Sequence, residues 1–392
     1  MTEKSSGVSA AARKLRNAFM KRKWLVIVLI AAILIFFGRV VDNKSLKQSA
    51  IVIGLGIDKT DNAFTVSTQS VVITGGAGEG QSSQSYAVYS AEGKTVSEAL
   101  DKISQHMGLL VSLSHCNVLV LSQNVLRSDL ELLAAPLIGA YALPEQAVVT
   151  SCTEKPSDIL AARTGTTVAA SYFIQSSLLQ NLGGDGLAMV TVKDFLAHTL
   201  SRSASVNIPL VELEKLEDNP QTPDGESKDN FQLIMNRNLV VSENGSFVLE
   251  EEPAQATTLL IQHKVLGKLS PVLPTGEAVE FRVLDVKSSA KADGMSVHAE
   301  IEIKVSFMEA QNTPSDERIT PSSPIVKAAA KELEKEIAEN LYLCYTLSVE
   351  NNADFLHLEN EVYKKMGRHT PENCLSDIAF SCSVKVTVSE NG

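Results

Sequence analysis

Ala50-Ile-Val-Ile-Gly-Leu-Gly-Ile57 is an apolar run broken only by two glycines. A strand on a one-sided sheet alternates apolar and polar residues. A run without alternation suits a strand buried on both faces. Asp58 to Asn62 supplies a polar turn, and Phe64 to Ile73, rich in Val and Thr, returns as a second strand. Gly75 to Ser85 reads as a solvated Gly/Ser/Gln loop and Tyr86 to Tyr89 as a short strand. Lys94 to Met107 then changes period: Val96, Leu100 and Ile103 fall at i, i+4 and i+7, and Thr95 with Glu98 forms a candidate capping box.

Downstream, strands are expected at Asn117–Leu121, Ala147–Cys152 and Ile208–Leu213. Helices are expected at Leu126–Ala142 (interrupted by Pro136), Pro156–Ala162, Ser171–Leu182 and Val192–Leu200. Strands alternating with helices point to an α/β or α+β domain. Glu214 to Asp229, rich in Glu, Asp, Pro and Gly, reads as a linker. Beyond it, Phe231–Val241 and Ser246–Leu249 flank Glu243-Asn244-Gly245, a strong hairpin signal. A short helix is expected over Ala254–Gln262. The last third predicts strands at Ala278–Val286 and Met295–Phe307. In the second of these Val297, Ala299, Ile301, Ile303 and Val305 alternate with polar residues. A long helix over Ile325–Val349, with an apolar stripe at Ile325, Ala328, Leu333, Ile337, Leu341 and Cys344, precedes a second helix at Asp354–Lys365 and a closing strand at Ile378–Val388.

Upstream of the opening strand, fourteen apolar residues, Trp24 to Phe37, follow Lys21-Arg22-Lys23. Residues 1–23 hold seven basic residues against one acidic residue, a charge of +6, which leaves −17 of the chain's −11 to the remainder. The positive-inside rule keeps that tail cytoplasmic and sends the rest outward. The run spans about 21 Å, or about 27 Å if Arg39 snorkels and Gly38 to Val41 join it. That supports a signal anchor over residues 24–41. A cleaved secretory signal is the competing reading, although no small-x-small site follows Phe37. The remaining 350 or so residues suggest two or three domains, and their acidity excludes nucleic acid as a natural partner.

Chemistry is sparse. Gly54-x-Gly56 lacks a third glycine and precedes a strand rather than a helix, so backbone packing explains it better than a nucleotide loop. His115-Cys116 is the only His beside a Cys, at the entrance to a buried strand, and a structural role is favoured there. The other histidines, His106, His198, His263, His298, His357 and His369, show no ligand spacing. Five scattered cysteines define no framework. Cys374 and Cys382 could pair, but Cys382 also reads as a small core residue. The residues themselves predict no catalytic, cofactor or metal site, while dispersed carboxylates of a hydrolase, brought together by folding, stay open.

Four ordered blocks resemble the Ger(x)C family, the C subunits of bacterial spore germinant receptors. They are Ala50–Thr60; Tyr89-Ser-Ala-Glu-Gly-Lys-Thr95 with its helix and Leu113-Ser-His-Cys-Asn-Val-Leu-Val-Leu121; the hairpin ending at Leu249 with its following helix; and Ala353-Asp-Phe-Leu-His357, Tyr363-Lys-Lys365 and Cys382–Val388. The resemblance implies an α+β protein of about three mixed α/β domains behind a membrane anchor. It also implies a non-catalytic subunit without cofactor, assembling with A-type and transporter-like B-type membrane subunits at the spore inner membrane. The corresponding bounds are a cytoplasmic tail (1–23), an anchor (24–41), an N-terminal α/β domain (42–213), an acidic linker (214–230), a hairpin-containing middle domain (231–286) and a C-terminal domain with the long helix (287–392). Family members carry a lipobox cysteine. Here Arg39-Val40-Val41-Asp42 stands in that place, so a transmembrane anchor replaces lipidation. Asp354, Phe355, His357 and Tyr363 are the candidate partner contacts. A membrane-anchored envelope hydrolase and a free-standing envelope-binding protein are the alternatives.

Overall fold

The computed structural model of the chain describes residues 49–60, 62–73, 84–125, 136–162, 168–180, 187–215, 231–261, 267–312 and 319–389. The opening run forms β1 (Ser49–Thr60), in which residues 52–57 are all buried. It pairs antiparallel with β2 (Ala63–Ile73), which pairs with β3 (Gln84–Gly93), a strand longer than its apolar centre suggested. Helix α1 (Val96–Met107) follows, with Thr95 Oγ1 accepting from Glu98 N at 3.1 Å. The Glu98 carboxylate reaches back to Lys94 N rather than Thr95 N, so the reciprocal half of the capping box is shifted by one residue. Next come β4 (Leu110–Ser112), β5 (Val118–Ser122), β6 (Val148–Cys152), α2 (Pro156–Ala161), α3 (Ala170–Gln180), α4 (Val192–Thr199) and β7 (Ser205–Lys215).

β1, β5, β6 and β7 run parallel in the sheet's centre, with antiparallel pairs on both flanks. The two faces carry separate cores. Leu119 and Leu121 pack with Val52, Leu55, Leu100 and Ile103. Val118 and Val120 pack with Ile159, Leu160, Ile174 and Leu178 on α2 and α3. A register shift between Val52 and Gly54 lets Val52 and Leu55 share a face despite their odd spacing. Gly54 and Gly56 mark the close approach of α2 and α3. A Cβ at Gly54 would lie 1.9 Å from Ser171 Oγ, and one at Gly56 would lie 2.6 Å from Pro156 Cβ.

The expected hairpin forms as β8 (Phe231–Ser242) and β9 (Gly245–Leu249). β8 pairs antiparallel with β7, so these strands complete the first sheet, in the order β3-β2-β1-β5-β6-β7-β8-β9 with β4 beside β1. The sequence grouped them instead with the strands that follow, because the acidic stretch between β7 and β8 has the composition of a linker, while ladder pairing depends on register across it.

Helix α5 (Glu251–Ile261) leads to the second sheet, β10 (Lys268–Leu269), β11 (Ala278–Asp293), β12 (Ser296–Gln311) and, after helices α6 (Pro324–Glu350) and α7 (Leu358–Met366), β13 (Ala379–Ser389). β12 and β13 pair in parallel, with α6 and α7 in the crossover. Val297, Ala299, Ile301, Ile303 and Val305 all face the core as their alternation required. The stripe of α6 is Val326, Ala329, Leu333, Ile337, Leu341 and Cys344. Ile325 packs at the edge of this core, half-buried, while Ala328 is exposed, because the helical period counted back from Leu333 puts Ala329 and Val326 on the buried face. All five cysteines are free thiols, and Cys374 and Cys382 are not paired.

Among the described residues no helix is long and apolar enough to cross a membrane. The tail and anchor expected over residues 1–41, the core of the linker and the first part of the Leu126–Ala142 helix lie outside the described residues.

Candidate functional site

Asp354 was expected within a helix; it precedes α7 by four residues. Its carboxylate accepts from Leu358 N and Glu359 N, both at 2.8 Å, and so caps that helix from outside. It also accepts from Ser203 Oγ at 2.5 Å, tying the turn before β7 to the start of α7. Burial pushes the Asp354 carboxyl up to about 6, against the opposing pull of Ser203 and the two amides. With three donors on its two oxygens, Asp354 is a poor general acid or base.

Phe355 is fully buried and meets Phe247 of β9 edge-on, ring centroids 5.8 Å apart. His357 adopts a left-handed backbone (φ 58°), and its ring stacks on His198 of α4, centroids 4.3 Å apart and planes 11° from parallel. Burial first, then the neighbouring His198, hold the His357 imidazole down to about 3; burial also lowers His198. Both rings are therefore neutral at physiological pH. Their surroundings include a cavity of about 20 Å³, bordered by Asn207, Thr257 and Thr258, room for about one water.

Tyr363 is 46 % exposed, and its ring lies 5.5 Å from the Arg202 guanidinium. Arg202 Nη2 donates to the carbonyls of Thr370 and Pro371. The four residues named from sequence thus lie in one segment, but burial turns Asp354 and Phe355 inward and leaves Tyr363 as the one with a half-exposed ring. Asp354, His357 and Tyr363 meet Ser203, His198 and Arg202, a stretch in which sequence reading marked no contact. His198 was read as isolated, and no spacing signal links it to a partner 159 positions away. Asn244 Nδ2 adds a bond to Asn352 O at 3.0 Å. The result is a polar seam joining the end of the first sheet to the α6–β13 crossover.

The other chemical candidates are structural. Cys116 is buried, its thiol donates to Val118 O at 3.3 Å, and burial pushes it up to about 12, while His115 is exposed. Among the described residues no group of three or more His, Cys, Asp or Glu could hold a metal ion.

Residues 42–213 match the family model described as the spore germination protein N-terminal domain. No curated protein matches the chain in sequence. Among solved structures, the crystal structure of the GerBC protein aligns with 12 % identity and a TM-score of 0.44, over 86 % of this chain and 96 % of that chain.

Proposed function

From the match of residues 42–213 to the spore germination protein N-terminal domain, we propose that the chain is the non-catalytic C subunit of a nutrient germinant receptor. That domain match is the observation that carries the reading. The subunit is held at the spore inner membrane by the apolar run at residues 24–41, with its acidic remainder outside the cytoplasm. It acts by binding an A-type subunit and a transporter-like B-type subunit and holding them in a signalling-competent arrangement. The distribution of chemistry agrees with a binding role. The carboxylate with the clearest perturbation, Asp354, is committed to a helix cap, and the thiols with strongly raised values are buried.

The test is affinity purification from detergent-solubilised membranes of sporulating cells, with a tag after Gly392 and mass-spectrometric readout. Recovery of both a transporter-like and a second polytopic membrane protein is the expected result. A preparation free of membrane partners would overturn the receptor assignment.

A further inference from the structure

Leu109 and Leu110 are adjacent large apolar residues left in water, 38 % and 67 % exposed. Gly108 ends α1 with a left-handed backbone (φ 66°), and the two leucines lead from it into β4. The next apolar residues, Val111 and Leu113, are buried. β4 pairs with β1. β2 holds one side of β1 from Val52 onward. On the other side β5 takes Gly54 to Ile57, and Asn117 N donates to Ile53 O. β4 therefore lies beside the first residues of β1, and the leucines stand at the end of the sheet where β1 begins.

Two features say what covers them. The expected anchor ends at residue 41, and β1 begins at Ser49. Eight residue steps reach at most about 26–29 Å, so this end of the sheet is bound to stay within that distance of the anchor's outer end. The second feature is charge. Ile103 to Leu126 contains no Asp, Glu, Lys or Arg, although the chain beyond residue 23 is strongly acidic. A carboxylate there would resist approach to lipid. Residues 42–48 carry Lys44 and Lys47 against Asp42, the opposite balance to the rest of the acidic remainder.

We propose that Leu109 and Leu110 seat in the bilayer surface, as a second contact beside the anchor. They would enter the boundary between headgroups and acyl chains, about 5–10 Å deep. The central parallel strands then stand with their N-terminal ends toward the lipid and Thr60, Ser122 and Cys152 away from it. One anchor fixes position; a second contact fixes orientation, and with it the faces turned toward neighbours in the membrane. This inference rests on the anchor at residues 24–41 and not on the A-type and B-type partners.

Trp24 is the chain's only tryptophan, so Trp24→Phe gives a silent background for a reporter. In that background the full-length chain with Leu110→Trp is reconstituted into vesicles of phosphatidylglycerol and phosphatidylcholine, with and without bromine on the acyl chains near the headgroup. The control is Thr60→Trp, at an exposed position at the other end of β1, about 36 Å along the strand. Emission from Leu110→Trp is expected to fall about twofold or more in brominated lipid, and that from Thr60→Trp to stay within about a tenth. Leu109→Trp repeats the reading at the neighbouring position. Adding Leu109→Asp to Leu110→Trp is expected to release the quenching. Unquenched emission from both leucine positions would overturn the proposal and leave the pair to a protein partner. Equal quenching at Thr60 would overturn it as well. Flotation of the vesicles separates the two readings: a chain that stays behind overturns the anchor and this inference together, whereas one that floats unquenched overturns this inference alone.

Discussion

His357 and Asp354, three residues apart, respond to acid in opposite directions. Unfolded, His357 takes a proton near pH 6.5, its ordinary value, whereas folded it does so only near 3. Lowering the pH from about 6.5 to 3 therefore draws the chain toward the unfolded state. Asp354 is raised, from 3.8 to about 6. Its contribution is fully present below 3.8 and is lost as pH rises through 6, so acidification across that window favours the fold. The two slopes oppose each other between about pH 3.8 and 6. Asn at position 357 keeps the left-handed backbone and removes the titrating ring. His357→Asn is therefore expected to gain stability, relative to the native chain, as the pH is lowered from 6 to 4, read as the urea midpoint at each pH. Parallel pH profiles for the two proteins would refute the assignment of the acid response to His357.

At the scale of elements, two close approaches dominate. α2 and α3 rest on β1 through Gly54 and Gly56, and the methyl of Gly54→Ala would enter both Ser171 and Leu160. A loss of about 1–3 kcal/mol is expected from overpacking, together with disturbance of the Gln69 side chain. Gln69 bridges Ser171 and Leu160, accepting from Ser171 Oγ at 2.5 Å and donating to Leu160 O at 2.6 Å. Urea denaturation measures the first effect. The start of α7 depends on Asp354 in the same way. Asp354→Ala removes a cap and strands Ser203 Oγ, a combined loss of about 2–4 kcal/mol. Asp354→Asn, which retains an acceptor, should lose less. Equal losses in the two variants would show that the cap needs the carboxylate itself, since Asn keeps the packing and one acceptor that Ala removes.

Across the whole molecule, the first sheet and the second-sheet crossover meet at the seam built from His198, Arg202 and Ser203 on one side and residues 354–371 on the other. Arg202→Ala is expected to raise amide exchange across residues 367–375 while leaving β1, β5 and β6 protected, because it removes bonds to Thr370 and Pro371 and the contact with the Tyr363 ring, all far from those strands in sequence. Exchange rising equally in those central strands would mean that Arg202 supports the fold globally. How far such a seam could be read beforehand follows from distance along the chain. The burial of β1, the inward face of β12 and the N-cap of α1 act through residues two to four positions apart, and all were legible as period or capping pattern. The phase of α6 was legible from Leu333 onward, and the same period carried back reaches Ala329, not the Ala328 expected beside it. Asp354 was singled out, but placed inside a helix it caps from outside, because its carboxylate skips three residues to reach the amides.

The sequence by itself determined the element types, the two-sided burial of the opening strand and the resemblance to spore germination proteins, since hydrophobic period, turn residues and ordered blocks are properties of neighbouring residues. Only the tertiary structure decided that β8 and β9 belong to the first sheet. It alone brought Ser203 to Asp354 across 151 positions, stacked His198 on His357, and set Arg202 beside Tyr363. Such polar groups carry no periodic signature. Their pairing arises when strand register and helix packing bring distant segments together, and the resulting burial then sets which of them ionise.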